Sequence, residues 1–289
     1  MKLHTINTEL FKLDGGAMFG VVPKVIWNKL VPADENNLCT WAMRLLLVED
    51  GNRLILIDTG IGNKQDAKFF SYYYLNSTNT LGSSLRTLGF SKDDITDVIL
   101  THLHFDHCGG AIERNGDALA PTFKNAVYWS NTRHWAWATQ PNDREKASFL
   151  KENILPIATS GQLKFIDTPV DGLPETGVLG TTKFTDNISL RFVNGHTDMM
   201  MLPQINYNGN TLVYMADLLP SVAHIPLPYV MGYDMFPLTT LNEKKSFLKE
   251  AVDNNYTLFF EHDAVNECCT LQHTEKGIRQ ADVFRLSDI

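Results

Sequence analysis

A dense cluster of metal-binding side-chain types follows an apolar run near the middle of the chain. The stretch ILTHLHFDHCGG, residues 99–110, holds three histidines and one aspartate within six residues, in a chain with only 9 histidines among 289 residues. Neutral imidazole together with carboxylate is the donor combination that suits zinc. The pattern therefore favours a metal site over a packed corner. The candidate ligands are His102, His104, Asp106 and His107.

Three later segments share one pattern. ISLRFVNGH, TLVYMADLLP and YTLFFEHD are β-rich runs that each deliver a His or Asp at the C-terminal end. If these strands converge at one edge of a sheet, their terminal side chains meet in one cleft, which is where α/β folds tend to place sites. The four residues of the first cluster are too few to provide all the protein ligands of two ions. The strand ends supply the remaining candidate ligands, which are His196, Asp217 and His262.

The local pattern places the motifs among short strands and helices. Residues 43–57 predict a hairpin around a turn at 49–52, and residues 95–100 predict a buried strand that leads into the histidine cluster. A helix is predicted over 143–158 with Asp143 as its cap. Another is predicted over 238–255 with Lys244 on its outward face.

Composition indicates a packed fold and argues against nucleic acid as a partner. Hydrophobic residues make up 44% of the chain and charged residues 20%, an ordinary globular balance. A net charge of −8 repels a phosphate backbone. No stretch approaches the about 18 apolar residues of a membrane span, and the N-terminus lacks an apolar signal region, so we expect a cytoplasmic protein with no membrane partner.

The cysteines do not suggest a thiolate site. None of the four belongs to a paired CxxC set, so free thiols in a reducing compartment are expected. Cys108, directly after the histidine cluster, is expected to be a small packed residue.

The pattern Thr101 to Gly110, followed by Gly195-His196-Thr197, Asp217 and His262, resembles the metallo-β-lactamase superfamily. The resemblance covers essentially the whole chain from the hairpin LLLVEDGNRLILIDTG onward. It implies an α/β fold, the αβ/βα four-layer sandwich, with two facing mixed β-sheets, helices outside and metals at one edge. We expect residues 1–289 to form a single domain, with residues 1–40 as an N-terminal extension that acts as a lid or a dimer contact.

The resemblance also implies a ligand set for two divalent ions. Zinc is the expected metal, with manganese or iron as alternatives. One ion would be held by His102, His104 and His196, the other by Asp106, His107 and His262, and Asp217 would bridge them. Asp58 in the segment DTG matches the strand-end Asp of the superfamily and would orient a ligand histidine. A plain turn cap is the alternative role for Asp58.

Within the superfamily, the chain is most similar to the N-acyl-homoserine lactone lactonases and the methyl parathion hydrolase-like branch. The true β-lactamases of this fold that have a zinc-ligating Cys carry that Cys at the position of Asp217. Flavo-diiron proteins carry Glu at the position of His104. Drug hydrolysis and redox iron are therefore disfavoured. Pro220 stands where well-studied lactonases place a substrate-contacting Tyr. His224 could face the pocket instead, with an ordinary loop histidine as the alternative.

The implied activity is the opening of a lactone ester, with N-acyl-homoserine lactone as the expected substrate. Two zinc ions can lower the pKa of a bridging water to about 7, and the hydroxide would attack the carbonyl. Asp217 would take the proton and pass it to the leaving oxygen. Asp106 and His224 are the other residues expected to take part in catalysis. An apolar pocket for an acyl chain is expected from Met18, Phe19, Phe105, Trp135 and Met231, each of which could instead be core.

Two alternatives stay open at this point. A phosphotriesterase or aryl-esterase would use the same metals with a wider aromatic pocket. A noncatalytic metal-binding protein could have kept the fold, although the complete ligand set speaks against it. The expected partners are a small-molecule ester or lactone and a second copy of the chain in a homodimer.

Overall fold

Two mixed β-sheets, one in each of two structural units, form the framework. The structure is a computed structural model that describes residues 1–168 and 180–289. The first unit comprises Met1–Leu10 and Met43–Thr168, and the second comprises Phe11–Ala42 and Pro169–Ile289. Each unit combines strands with helices, as expected of an α/β fold.

The first unit is built on a six-stranded sheet in the order β1-β2-β3-β4-β7-β8, beside a separate β5-β6 hairpin. Strands β1 and β2 continue into the second unit. The strands are β1 Lys2–Asp14, β2 Leu38–Asp50, β3 Arg53–Ile57, β4 Asp97–Ile99, β5 Ile112–Asn115, β6 Ala118–Pro121, β7 Val127–Asn131 and β8 Leu163–Ile166. The helices are α3 Ala67–Ser71, α4 Leu81–Thr87, α5 Phe105–Cys108, α6 Thr132–Thr139 and α7 Lys151–Thr159.

The predicted hairpin is confirmed as β2 and β3, which pair antiparallel from Leu46 opposite Ile57 to Asp50 opposite Arg53. Its turn is shorter than expected, because only Gly51 and Asn52 lie outside the strands. Gly51 has φ +63°, the left-handed conformation that two-residue hairpin turns require. Alternate side chains of both strands enter one buried cluster.

Strand direction gathers polar residues at one edge of this sheet. Strands β3, β4 and β7 run parallel, so the residues that follow Ile57, Ile99 and Asn131 leave the sheet on the same side. Asp58 and the histidine cluster therefore start from neighbouring strand ends. The predicted strand before the cluster is confirmed as β4, and the cluster itself forms a loop and the short helix α5.

The second unit carries a seven-stranded sheet in the order β15-β14-β13-β12-β11-β10-β9. Its strands are β9 Thr181–Lys183, β10 Ile188–Val193, β11 Met200–Tyr207, β12 Asn210–Tyr214, β13 Thr257–Phe259, β14 Cys268–Thr274 and β15 Gly277–Phe284. The helices are α1 Gly15–Phe19, α2 Lys24–Trp27 and α8 Pro237–Asp253.

The three strand-end motifs lie at one edge of this second sheet, as the sequence predicted. Strands β10 and β11 are antiparallel, as are β11 and β12, so β10 and β12 point the same way. Strand β13 is parallel to β12. The loops that follow these three strands carry His196, Asp217 and His262.

Two local predictions are wrong. Asp143 does not cap a helix, because α7 begins eight residues later at Lys151. The residues around Asp143 instead form a turn in which the Asn142 side chain accepts from the backbone N–H groups of Arg144 and Glu145. Lys244 does not face solvent: it is 0% exposed on α8, because its ammonium group donates to a neighbouring loop.

None of the helices among the described residues combines the length and the apolarity that a bilayer crossing requires.

Candidate metal centre

Asp58 organises the start of the histidine cluster in the first unit. Its carboxylate is fully buried and accepts from Thr101 N (2.7 Å), Thr101 Oγ1 (2.7 Å) and His107 Nδ1 (3.1 Å). Because the Thr101 hydroxyl proton is directed to Asp58, its oxygen accepts from His102 Nδ1 at 3.1 Å. One carboxylate thus fixes the orientation of two imidazole rings. The lone pair of each neutral ring then lies on Nε2.

Glu145 plays the same part for His104. Its carboxylate is 1% exposed, and Oε1 accepts from His104 Nε2 at 2.9 Å while Oε2 accepts from Trp137 Nε1 at 2.6 Å. The His104 lone pair therefore lies on Nδ1, which is 3.0 Å from His102 Nε2. Two nitrogens bound to one tetrahedral zinc at about 2.0–2.1 Å each are about 3.3 Å apart, so this spacing fits a shared ion.

Asp106 and His107 lie together on α5, with His107 Nε2 and Asp106 Oδ2 3.9 Å apart. The backbone between the ligand candidates is held from a neighbouring helix: Leu103 N donates to His134 Nε2 at 2.9 Å. The first unit therefore presents His102 and His104 side by side and Asp106 with His107 one turn further on. The assignment of these two pairs to two different ions stays a prediction.

In the second unit, Asp217 lies between two histidines. Its Oδ2 is 3.0 Å from His196 Nε2 and its Oδ1 is 3.2 Å from His262 Nε2. A carboxylate that turns one oxygen to each of two ligand-type rings has the arrangement of a bridging ligand. The residue before it, Ala216, has φ +40°, and Asp58 in the first unit has φ +59°; non-glycine residues in this region cost about 1–3 kcal/mol, typically at functional sites.

Both histidines of this unit are also oriented by a hydrogen bond at Nδ1. His196 Nδ1 donates to Asp234 Oδ1 at 2.9 Å, and His262 Nδ1 donates to the Ala42 carbonyl at 2.8 Å. Their Nε2 atoms are thereby the ligand atoms. A histidine that donates its second N–H to a carboxylate or carbonyl is the usual arrangement of a metal-bound imidazole.

The charge balance around His196 fits a cation. Burial alone would lower the pKa of this imidazole, but the Asp217 and Asp234 carboxylates outweigh burial and raise it to about 10. A site that favours positive charge so strongly suits a divalent ion. The imidazole donors, each oriented by a buried hydrogen-bond partner, and the carboxylate donors therefore fit divalent metal binding, with His102, His104, Asp106, His107, His196, Asp217 and His262 as the candidate ligands.

His224 is embedded in the second unit. Its Nε2 donates to the Met18 carbonyl at 2.9 Å, its Nδ1 accepts from the Ser221 hydroxyl at 2.8 Å, and its ring stacks on Phe19 at 4.7 Å. Burial lowers its pKa to about 3, so the ring is neutral. Both nitrogens are engaged, Nε2 with α1 and Nδ1 with Ser221, and a catalytic role for His224 stays a prediction.

The pocket residues expected from sequence are divided between the units. Met18, Phe19 and Met231 are buried in the second unit, near the contact of Gly232 N with the Ala17 carbonyl at 2.7 Å. In the first unit, Phe105 packs with Phe69 and Tyr73, and half-buried Trp135 lies 6.1 Å from Phe165. Their role as substrate pocket stays a prediction.

The described cysteines are all buried free thiols. Cys108 Sγ donates to the Leu103 carbonyl at 3.2 Å, and burial raises the pKa of the thiol to about 12. A protonated, packed Cys108 is what the sequence led us to expect.

Sequence reasoning missed the residues that orient the ligands: His134, Glu145, Asp234 and Glu243. Each lies 31 to 49 residues from its partner along the chain, so no local spacing connects the two. No local signal marks Glu243, because it stands beside Lys244 and Lys245 in a charged stretch of α8.

Glu145→Gln is expected to weaken zinc binding about 10–100-fold, because the amide no longer fixes the His104 tautomer and such supporting residues carry effects of this size. Zinc affinity measured by competition with a chelating dye tests this. Glu152→Gln on α7 is the control, since Glu152 is exposed and should leave affinity unchanged. Wild-type affinity in the Glu145 variant would contradict the assignment.

Comparison with known proteins agrees with this geometry. The family model described as the Metallo-beta-lactamase superfamily matches residues 45–262. A probable metal-dependent hydrolase from Staphylococcus aureus has a similar structure, with a TM-score of 0.86 and 26% identity, over 98% of this chain and 96% of that one.

Two lactonases also have the same fold. AidC, a dizinc quorum-quenching lactonase with a bound product, has a TM-score of 0.78 and 20% identity, over 98% of this chain and 95% of that one. An N-acyl homoserine lactone hydrolase, with the product N-hexanoyl-L-homoserine at its catalytic metal centre, has a TM-score of 0.67 and 20% identity, over 91% of this chain and 93% of that one.

Proposed function

Since the chain belongs to the metallo-β-lactamase superfamily and is a hydrolytic enzyme, we propose that it is a dinuclear metal-dependent hydrolase that opens lactone esters. N-acyl-homoserine lactones are the proposed substrates and zinc the proposed metal. The observation that carries the proposal is the orientation of five buried histidines. Each donates one ring N–H to an oxygen acceptor within its own unit and keeps its lone pair on the other nitrogen.

We propose that the two ligand groups serve the same pair of ions. Two four- or five-coordinate ions need more protein donors than either unit supplies alone, and the two groups are complementary in number and kind. One ion takes His102, His104 and His196, and the other takes Asp106, His107 and His262. Asp217 is shared between them, because its two oxygens face different histidines.

When bound, the ions supply a water that is activated near neutral pH and positive charge for the developing carbonyl oxygen. The protein side chains do the rest. Asp217 takes the proton of the attacking water as the C–O bond to the carbonyl carbon forms. It returns that proton to the ring oxygen as the ester bond breaks, so that the product is an open hydroxy acid. Asp58 keeps His107 in position through its hydrogen bond to Nδ1.

Support for a lactone substrate comes from the two lactonases with the same fold, one of which holds an opened N-acyl-homoserine product. The buried apolar segment around Met18, Phe19 and Met231 suits an acyl chain. A second candidate, an aryl-esterase or phosphotriesterase, is favoured by the aromatic group of Phe69, Tyr73 and Phe105.

A substrate panel tests the proposal. N-acyl-homoserine lactones of several chain lengths, γ- and δ-lactones, aryl esters and a phosphotriester are compared by kcat/KM on zinc-loaded protein. We expect the best homoserine lactone to exceed the best aryl ester or phosphotriester by at least about 10-fold, the effect of about 1.4 kcal/mol in transition-state binding. The reverse order would move the protein to the second candidate.

Metal analysis tests the dinuclear part separately. We expect about two equivalents of divalent metal per chain after gentle purification, since both ligand groups are assembled. Less than one equivalent, or a second equivalent that never raises the rate, would contradict a two-ion site.

A further inference from the structure

Two consecutive charged residues of α8, Glu243 and Lys244, are buried almost completely, at 3% and 0% exposure. Buried charges are costly unless they are fully hydrogen-bonded. The two side chains project in different directions from the helix, and each bonds the backbone of a different loop. Neither loop belongs to α8, so the pair connects one helix to two parts of the second unit.

Glu243 holds the loop that carries His196. Its two oxygens accept from the successive backbone N–H groups of Asn194 (2.6 Å) and Gly195 (3.0 Å). The two residues just before α8 bond the same loop, since Phe236 N donates to the Gly195 carbonyl at 2.8 Å and Met235 N donates to the His196 carbonyl at 3.0 Å. The backbone on both sides of His196 is thus fixed by α8.

Lys244 holds a different segment, residues 226–229. Its Nζ donates to the carbonyls of Tyr229 (2.7 Å), Pro226 (3.2 Å) and Leu227 (3.4 Å). This segment, PLPY, contains two prolines, which have no N–H, so it has few backbone donors of its own for its carbonyls. An ammonium group with three N–H bonds meets that need.

The segment held by Lys244 borders the apolar side of the unit. The Tyr229 ring packs edge-on against Phe19 at 6.2 Å, and Phe19 stacks on His224. The next residues return to α1, where Val230 O lies so close to Gly20 that a side chain there would collide at 2.4 Å. Lys244 therefore acts on the surroundings of Met18 and Phe19, and Glu243 acts on His196.

We infer that Glu243 and Lys244 are two positioning residues with separate duties. Glu243 sets the backbone that presents the metal ligand His196, and Lys244 sets the 226–229 segment that forms the acyl-chain side of the substrate site. The part of the inference that assigns the acyl chain to residues 226–229 rests on the proposed function. These two positioning roles explain why α8 has charged residues on a buried face, where apolar residues of similar volume would be easier to bury.

Paired variants separate the two duties. Glu243→Gln is expected to weaken zinc binding about 10–100-fold, the range for residues that support ligands. Lys244→Met is expected to leave zinc affinity within about 3-fold and raise KM for the best substrate about 10-fold with kcat nearly unchanged, because it loosens binding rather than chemistry. Glu275→Gln and Lys245→Met are the exposed controls and should change neither quantity.

Amide hydrogen exchange measures the separate effects of the two residues without any substrate. Exchange should quicken at 194–196 in Glu243→Gln and at 229–232 in Lys244→Met, and not the reverse. If either variant fails to fold, Glu243→Asp and Lys244→Gln replace them, since each keeps part of the hydrogen bonding. Equal effects of both variants on zinc affinity, or exchange that quickens throughout the unit, would overturn the inference. If wild-type protein binds zinc but opens no lactone, the proposed function fails while zinc affinity and exchange still decide the separate duties.

Discussion

Asp217→Asn is expected to lower kcat/KM about 10³-fold, which corresponds to about 4 kcal/mol of transition-state stabilisation and is within what metal-ion catalysis supplies. The two carboxylate oxygens lie 3.0 and 3.2 Å from His196 and His262, and an amide offers only one oxygen and no charge. The variant should also retain fewer than two metal equivalents per chain. Steady-state kinetics and metal analysis on the same preparation measure both effects.

Asp117→Asn is the matched control, because Asp117 is exposed in the turn between β5 and β6 and should leave rate and metal content unchanged. An Asp217→Asn protein with two equivalents of metal and a wild-type rate would remove Asp217 from the site. Loss of rate with full metal content would instead assign it the proton-transfer role alone.

Gly195→Ala is expected to destabilise the fold by about 3 kcal/mol or more, an overpacking effect at the upper end of the usual range. A Cβ at this position would lie 2.2 Å from Thr240 Oγ1 and 2.3 Å from Thr240 N. The backbone atom belongs to α8 and cannot move without displacing the helix. Because His196 is the next residue, zinc affinity should fall together with the denaturation midpoint.

Gly82→Ala in α4 makes the same chemical change where the nearest atom is the end of a flexible arginine side chain, at 3.5 Å. Alanine is the better helix former by about 1 kcal/mol, so this control should be neutral or slightly stabilising. Urea denaturation of both variants, with and without zinc, makes the comparison. A Gly195→Ala protein as stable as wild type would show that α8 and the His196 loop are not packed as tightly as the structure indicates.

The candidate metal ligands could be identified from the sequence because their residue types occur in local patterns. His102, His104, Asp106 and His107 lie within six residues, and the three later candidates each follow a β-rich run. Strand direction then determines that the ends of β10, β12 and β13 share one edge. The expectation that these strands converge at one edge of a sheet was enough to group the three residues without any knowledge of side-chain contacts.

The helix predictions failed where a polar residue serves a distant partner. Lys244 follows the outward pattern of an amphipathic helix, yet it is buried because carbonyls of residues 226–229 need its protons. Asp143 has the residue type of a helix cap, but Asn142 forms a turn there that brings Glu145 to His104. Periodicity reports the average face of a helix and cannot report a single long-range hydrogen bond.

The family and the candidate ligand types could be recognised from the sequence, because apolar alternation and donor chemistry are properties of short segments. Only the folded structure shows which nitrogen of each candidate histidine keeps a lone pair for a metal. That choice depends on Asp58, Glu145, Asp234 and the Ala42 carbonyl, which hold the opposite nitrogen from 38 to 220 residues away. An imidazole has two equivalent-looking donors in a sequence, and only a buried acceptor on one side makes the other the ligand.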